Sequence, residues 1–260
     1  MPSLRLAVQL RSLKLPLKKA LQIANGWRVS GVEIDARGET NPRDLSQTGR
    51  RQLRKLLDDF GLRVAAVGFR TRRGYDVAEQ LERRIEATKA AMKLAYDLGA
   101  SWVVNQVGRV PEKPEGRAWA MLTEALAELG SYGQRAGAML AAETGSEPGG
   151  DLRRLIDALP PGSLAVTLNP GNLIINGFSP LDAIAELGPH VQYVHAKDGV
   201  RDLARGRGME VALGRGSADF AALLGALEEH DYRGYWTIEL ESAADPIHEI
   251  GRAVSYLRSL

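Results

Sequence analysis

The sequence predicts a single (β/α)8 TIM barrel of the α/β class, and three observations lead to that prediction. Short apolar runs alternate with longer helical patterns, as expected when parallel strands are covered by helices. Eight such runs occur in 260 residues, roughly 32 residues per repeat, which favours closure into a barrel. No glycine-rich phosphate turn follows the first run, which argues against an open nucleotide-binding sheet. We therefore predict one domain spanning residues 1–260.

The eight apolar runs have the length and composition of buried strands. In chain order they are Leu4–Leu10, Val29–Asp35, Leu62–Val67, Trp102–Val107, Ala138–Glu143, Leu164–Asn169, Val191–Ala196 and Tyr235–Leu240. Capping residues between them predict helix starts. Asn41-Pro42 and Ser179-Pro180 each place a capping side chain before a proline suited to the first helical position. Asp76 and Glu79 have the spacing of a capping box and predict a further start.

Composition excludes several classes of function. The chain contains no cysteine, so disulfides, thiolate nucleophiles and cysteine-bound metal centres are excluded. No stretch approaches about 18 consecutive apolar residues, so we expect no membrane span. The first residues lack the apolar core of a signal peptide, which predicts a cytoplasmic protein. The formal net charge is only +2, and basic residues are scattered apart from small clusters at 70–73 and 201–207, so we expect no nucleic-acid partner.

Polar residues collect at the ends of the apolar runs. They are Glu33, Asp35, Asn105, Gln106, Glu143, Asn169, His195, Lys197, Asp198, Glu239 and Glu241. In a barrel of this kind, the carboxyl ends of the strands surround one site. Because an isolated buried charge costs several kcal/mol, charges at so many strand ends are best explained by a shared pocket.

Two carboxylates, one imidazole and one amide from the later strands favour a divalent-metal site. Glutamate and asparagine supply hard oxygen ligands, and histidine supplies a ring nitrogen. The candidate ligands are Glu143, Asn169, His195 and Glu239. The other histidines precede a strand or lie on helical segments, and we interpret them as structural: His190, His230 and His248.

Five segments resemble motifs of the xylose isomerase-like barrel family. Val191–Asp198 (VQYVHAKD) is similar to the family strand that carries a His-x-Lys-Asp motif. The others are Ala141–Glu143, Leu168–Asn172, Leu213–Phe220 and Tyr232–Glu239. The likeness is strongest from about Ala138 to the C-terminus. The family includes ketose 3-epimerases, hydroxypyruvate isomerases, inosose dehydratases and the endonuclease IV branch.

The resemblance implies a sugar isomerase or epimerase acting on a small carbohydrate. In it, Glu143 and Glu239 would serve as acid and base, moving a proton α to a carbonyl through an enediolate. One divalent ion (Mn, Mg, Co or Zn) would be held by the four candidate ligands above. The resemblance also implies a homo-oligomer. Candidates for binding the substrate are Glu33, Lys197 and Arg215.

One ligand position departs from the family pattern, because Asn169 stands where the family has aspartate. The formal charge of the ligand set falls from −3 to −2, so we expect weaker metal binding. Arginines after the third strand could serve an anion, although we interpret them mainly as surface: Arg70, Arg72 and Arg73. Glu147 and Glu241 are lesser candidates for substrate binding.

Three alternatives remain open at the level of sequence. A dehydratase of the same family would use the same proton abstraction but expel a β-hydroxyl group. A metal-free sugar-binding barrel would have no turnover, and Asn169 is its main support. An endonuclease IV-like enzyme is disfavoured, since that branch needs several histidines and only His195 stands at a strand end.

Overall fold

Residues 4–202 and 207–260 are described by the computed structural model, and eight of their strands close into a parallel barrel. The strands in chain order are β1 (Leu6–Gln9), β2 (Gly31–Asp35), β3 (Arg63–Gly68), β4 (Trp102–Asn105), β5 (Met139–Glu143), β6 (Ala165–Leu168), β7 (Val191–Ala196), β8 (Asp198–Asp202), β9 (Arg207–Val211) and β10 (Trp236–Ile238). The barrel order is β1-β10-β7-β6-β5-β4-β3-β2, and β1 pairs with both β2 and β10. Each predicted run overlaps one barrel strand. The predicted (β/α)8 barrel is therefore confirmed.

Helices cover the outside of the barrel. In chain order they are α1 (Leu17–Gly26), α2 (Gln47–Asp59), α3 (Leu81–Asp97), α4 (Gly116–Ala136), α5 (Gly149–Asp157), α6 (Pro170–Asn176), α7 (Pro180–Leu187), α8 (Phe220–Glu228) and α9 (Pro246–Arg258). Their apolar faces pack on the outward side chains of the strands, and the main core lies between the two layers. Among the described residues, no helix is both long enough and apolar enough to cross a bilayer.

The amino-terminal end of the barrel interior is filled by small and aromatic side chains. Ala7, Ala66, Tyr193 and Tyr235 belong to one buried cluster there. The alanines leave room for the two rings. Gly31 on β2 does the same, since a Cβ at that position would lie 2.7 Å from a ring carbon of Tyr235.

Alternation along the strands sets the chemistry of the opposite end. Side chains two residues apart share a face, so the residue two positions beyond Tyr193 also faces the interior. That residue is His195, and the same step leads from Thr237 to Glu239 and from Gly31 to Glu33. Glu33, His195 and Glu239 therefore belong to a polar layer above the apolar one.

Of the three predicted helix starts, one is confirmed and two are wrong. Ser179 caps α7 as predicted, accepting a hydrogen bond from a backbone N–H of the first turn. The prediction at Asn41 is wrong, because its side chain closes a local turn and α2 begins after Ser46 instead. The prediction from Asp76 and Glu79 is also wrong, since α3 begins beyond both residues.

An antiparallel hairpin of β8 and β9 follows β7, and the sequence did not predict it. Asp198 anchors its base by accepting hydrogen bonds from the backbone N–H groups of Gly199, Gly214, Gly216 and Ala218. This role explains why an aspartate follows Lys197 at the end of β7. Part of the basic cluster at 201–207 lies outside the described residues.

Candidate active site

Seven buried polar side chains meet inside the carboxyl end of the barrel. They are Gln9, Glu33, Glu143, Asn169, His195, Lys197 and Glu239, each at most 6% exposed. Glu33 on β2 contacts His195 on β7, although these strands are not neighbours in the barrel. Their contact therefore crosses the interior, and the polar layer is one connected cluster.

His195 lies at the centre of the cluster, between three carboxylates. Its Nδ1 is 2.7 Å from Glu143 Oε1 and 3.0 Å from Glu239 Oε2, and its Nε2 is 2.7 Å from Glu33 Oε2. Burial alone would lower the pKa of His195, but Glu33 and Glu239 outweigh it and raise that pKa well above its ordinary value. Because both ring nitrogens face carboxylate oxygens, both donate, and the ring is an imidazolium.

Asn169 connects the same two glutamates from the other side. Its amide nitrogen donates to Glu143 Oε1 at 2.8 Å and to Glu239 Oε2 at 2.9 Å. Its amide oxygen accepts from the backbone N–H of Asn172 at 3.0 Å, which makes Asn169 the N-cap of α6. Pro170 occupies the first helical position, so the local sequence sets the start of α6 and gives the amide oxygen of Asn169 a backbone partner.

Glu239 is held by cations on its other oxygen. Arg70 forms an ion pair with Glu239 Oε1 and a second one with Glu241, and Lys197 Nζ lies 3.3 Å from Glu239 Oε1. Burial would raise the pKa of Glu239, but His195 and these cations lower it well below its ordinary value. Burial would lower the pKa of Lys197, but Glu239 and Glu210 raise it instead.

Glu143 has a more open second oxygen. Its Oε2 accepts one hydrogen bond, from Gln106 Nε2 at 3.1 Å. Burial and the nearby Glu239 charge would both raise the pKa of Glu143, but His195 and Arg70 lower it overall. Glu143 is therefore an ionised, buried carboxylate whose outer oxygen contacts a neutral amide rather than a cation.

Most of the residues predicted for the site come together, and Arg215 does not. Glu33, Glu143, Asn169, His195, Lys197 and Glu239 all lie in the cluster. Arg215 is exposed in the loop after the hairpin, and its side chain makes no hydrogen bond or ion pair with any of these described residues. Of the three candidate arginines, Arg70 reaches the cluster, Arg72 is exposed, and Arg73 pairs with Glu79. The catalytic, ligand and substrate roles stay predictions.

One member of the cluster, Gln9, and two residues that contact it or Lys197 were not singled out from the sequence. Gln9 donates to Glu33 Oε1 at 2.9 Å, and Ser12 donates to Gln9 Oε1 at 2.8 Å. Gln9 is a polar residue near the end of an apolar run, so the signal used for the other strands could have found it. Glu210 on β9 lies 3.5 Å from Lys197 Nζ, and nothing pointed to it because the hairpin was not predicted.

The lesser candidate Glu147 lies buried in the loop after β5, and it forms no ion pair with any residue that the structure describes. One of its carboxylate oxygens has no hydrogen-bond partner among the described residues. Burial raises the pKa of Glu147 to about 7, although hydrogen bonds from Ser146 and the backbone of Val110 lower it in part. Glu147 is therefore a buried carboxyl whose desolvation is only partly offset by its hydrogen bonds.

Three residues of the cluster could hold a metal ion. Glu143, His195 and Glu239 each offer a ligand atom, and these atoms lie within 4.8 Å of one another. Two carboxylates and one imidazole form a donor set that suits several divalent ions. The residue predicted as the fourth ligand, Asn169, instead presents its amide nitrogen to the two glutamates.

A (β/α)8 barrel with a buried Glu–His–Glu cluster at the carboxyl ends of its strands defines an enzyme-like site. The family model described as xylose isomerase-like TIM barrel matches residues 22–260. The chain therefore belongs to this family, whose members include isomerases, epimerases and inosose dehydratases.

Individual relatives agree with this assignment. An inosose dehydratase of Geobacillus kaustophilus is 25% identical over 222 residues, covering 73% of this chain and 71% of the relative. A xylose isomerase domain protein from Planctomyces limnophilus has a similar fold, with a TM-score of 0.87, 23% identity and 99% and 97% of the two chains covered. So does a xylose isomerase-like TIM barrel protein from Mycobacterium smegmatis in complex with magnesium, with a TM-score of 0.75, 18% identity and coverage of 99% and 96%.

Proposed function

We propose that the protein is a sugar isomerase or epimerase that moves a proton α to a carbonyl between Glu143 and Glu239. The observation that supports this most is the pairing of two buried carboxylates from β5 and β10 around His195. Strand ends on different sides of the interior can reach a substrate carbon placed between them. A small carbohydrate with a carbonyl beside a C–H bond has the chemistry that such a pair acts on.

Glu143 is the better base of the two. Its outer oxygen contacts only the neutral Gln106 amide, whereas both oxygens of Glu239 contact cationic groups. A carboxylate surrounded by cations accepts a proton less readily. We therefore assign proton removal to Glu143 and proton return to Glu239, which would pass on the hydrogen-bonded proton of His195 Nδ1.

Cationic groups of the chain would stabilise the enediolate. Lys197 and Arg70 both lie beside Glu239, and we assign them the stabilisation of the negative charge that would develop on a substrate oxygen. A divalent ion (Mn, Mg, Co or Zn), if bound, would be held by Glu143, His195 and Glu239 and would polarise the substrate carbonyl. The homo-oligomer and the cytoplasmic location stay predictions.

Substitution of each glutamate tests the proposal. A panel of ketoses, aldoses and inososes is incubated with the protein, and the products are separated by chromatography. For a converted substrate, Glu143→Gln and Glu239→Gln should each lower kcat by about 10²- to 10⁴-fold, because each removes one proton-transfer group. Glu124→Gln, an exposed change on α4, is the matched control and should leave kcat unchanged. Full activity in either glutamine variant of the site would contradict the proposal.

A dehydratase is the second candidate, and the similarity to an inosose dehydratase is what favours it. It would share the first step, removal of the proton by Glu143, but the enediolate would then expel a β-hydroxyl group, which would take a proton from Glu239 and leave as water. Mass spectrometry of the product separates the two reactions. A product with the mass of the substrate supports the isomerase or epimerase, and a product lighter by one water supports the dehydratase.

A further inference from the structure

We infer that Asn169 takes the place of a cation in this cluster: its amide group ties Glu143 to Glu239, so that the cluster keeps its shape without a metal and binds metal weakly. The inference concerns metal binding and stability, and it does not depend on which reaction the protein catalyses. It rests on the contacts of one fully buried side chain.

The direction in which the amide points is fixed by its surroundings. The backbone N–H of Asn172 is a donor, so the atom of Asn169 that faces it at 3.0 Å must be the oxygen. The amide nitrogen then has to face the two carboxylates. A flipped amide would lose the cap of α6 and both bonds to the glutamates, and it would set an oxygen against two carboxylate oxygens. The backbone N–H of Asn169 also donates to Thr144 Oγ1 at 2.8 Å, which fixes the residue further.

The amide of Asn169 and the ring of His195 bridge the same pair of oxygen atoms. Glu143 Oε1 lies 2.8 Å from Asn169 Nδ2 and 2.7 Å from His195 Nδ1. Glu239 Oε2 lies 2.9 Å from Asn169 Nδ2 and 3.0 Å from His195 Nδ1. Two nitrogen donors thus alternate with two oxygen acceptors around one point. Hydrogen atoms supply the attraction that a metal ion would supply at the centre of the same four side chains.

An aspartate at this position would need a cation. It could keep the cap of α6 with one oxygen, but its second oxygen would stand where Asn169 Nδ2 now lies, beside two carboxylate oxygens. Like charges at that distance repel unless a proton or a metal intervenes. Conversely, a metal entering the present cluster must displace the amide hydrogens of Asn169 from both glutamates. Asparagine without metal and aspartate with metal are therefore two self-consistent forms of one backbone.

The test compares wild type with Asn169→Asp, using Mn²⁺ as the probe after treatment with EDTA and gel filtration. Isothermal titration calorimetry measures the affinity for Mn²⁺, and thermal melting measures stability with EDTA and with Mn²⁺. We expect the melting temperature of wild type to be the same in both conditions. Asn169→Asp should melt at a lower temperature than wild type in EDTA, and Mn²⁺ should restore its melting temperature. Its affinity for Mn²⁺ should exceed that of wild type by roughly ten- to hundredfold.

Asn176→Asp is the matched control, because it makes the same chemical change at an exposed position on the same helix. It should behave as wild type in both measurements. Equal Mn²⁺ affinity in wild type and Asn169→Asp would overturn the inference, and so would an Asn169→Asp protein whose melting temperature matches wild type in EDTA. Neither result would bear on proton transfer by Glu143 and Glu239.

Asn169→Ser keeps the test decisive if the aspartate variant does not fold in either condition. Serine can still cap α6 but does not carry an amide to the two glutamates. We expect it to melt below wild type and to gain less from Mn²⁺ than a restored four-ligand site would. A serine variant that melts at the wild-type temperature in EDTA would show that the amide bridge contributes nothing, and the inference would fail.

Discussion

The two ends of the barrel interior are built from the same strands but by different means. At the amino-terminal end, Ala7, Ala66, Tyr193 and Tyr235 pack as a neutral cluster. Two residues further along β7, the interior becomes a layer of carboxylates around the His195 imidazolium. Two residues along the strand therefore separate a layer stabilised by packing from a layer stabilised by ion pairs.

This difference predicts at which end of the barrel interior a substitution destabilises the fold most. A neutral packed layer tolerates a substitution that keeps its volume, usually at a cost below about 1.5 kcal/mol. In the charged layer, even a substitution that keeps the volume leaves the remaining charges buried and unpaired, at a cost of about 3–5 kcal/mol. The charged layer therefore costs stability when one of its members is lost. Substitutions at the two ends should change the free energy of unfolding by different amounts.

The largest effect on stability is expected from His195→Ala. It removes the cation that contacts Glu33, Glu143 and Glu239, so the free energy of unfolding should fall by about 3–5 kcal/mol. Urea denaturation at pH 7 measures it. The exposed His248 on α9 offers a control, since His248→Ala should change the free energy by less than about 0.5 kcal/mol. Equal effects of the two changes would contradict the view that the buried charge of His195 stabilises this layer.

Glu147→Gln should stabilise the protein in a pH-dependent way. Burial raises the pKa of Glu147 from 4.5 to about 7, so the folded state holds a proton that the unfolded state releases earlier. The wild-type free energy of unfolding therefore falls as the pH rises from about 4.5 to about 7. Glutamine has no such penalty, so the gain should be near zero at pH 4 and approach about 3 kcal/mol at pH 8.

Urea denaturation at the two pH values measures this difference, with Glu124→Gln as the exposed control. A gain that is the same at both pH values would mean that the Glu147 carboxyl titrates normally in the folded protein. That result would contradict the view that an unpaired carboxyl at this end is costly.

Tyr193→Phe probes the border between the two layers and should have the smallest effect. The Tyr193 hydroxyl accepts a hydrogen bond from Thr237 Oγ1 at 2.6 Å, and both residues are buried. The phenylalanine ring still fills the apolar layer, but the threonine hydroxyl loses its acceptor, at a cost of about 1–3 kcal/mol. Thermal melting measures the loss. An effect as large as that of His195→Ala would contradict the view that loss of a buried charge costs more than loss of a neutral hydrogen bond.

The sequence predicted the barrel and most of the cluster because both depend on local patterns. Apolar runs and the two-residue alternation were enough to place Glu33, His195 and Glu239 on one side of their strands. Arg70 was interpreted mainly as surface because it lies in a loop, where only the tertiary fold decides whether a long side chain turns inward. The hairpin that carries Glu210 was missed, since its pairing is antiparallel and departs from the repeat.

The orientation of Asn169 was within reach of the sequence but was not predicted. Asn169-Pro170 has the same cap-then-proline pattern that correctly predicted the start of α7 at Ser179-Pro180. That pattern commits the amide oxygen to the helix and leaves only the nitrogen for the glutamates. What the sequence does not give is the distance to Glu143 and Glu239, which depends on how β5, β6 and β10 are arranged in the closed barrel.

Exchange of hydrogen with solvent tests most directly whether the charged layer transfers protons at carbon. The protein is incubated in D₂O with each sugar of the panel, and NMR follows loss of the signal of the hydrogen α to the carbonyl. Wild type should incorporate deuterium at that carbon of its substrate, and Glu143→Gln should not, while Glu124→Gln behaves as wild type. Deuterium incorporation by Glu143→Gln at the wild-type rate would contradict the assignment of Glu143 as the base.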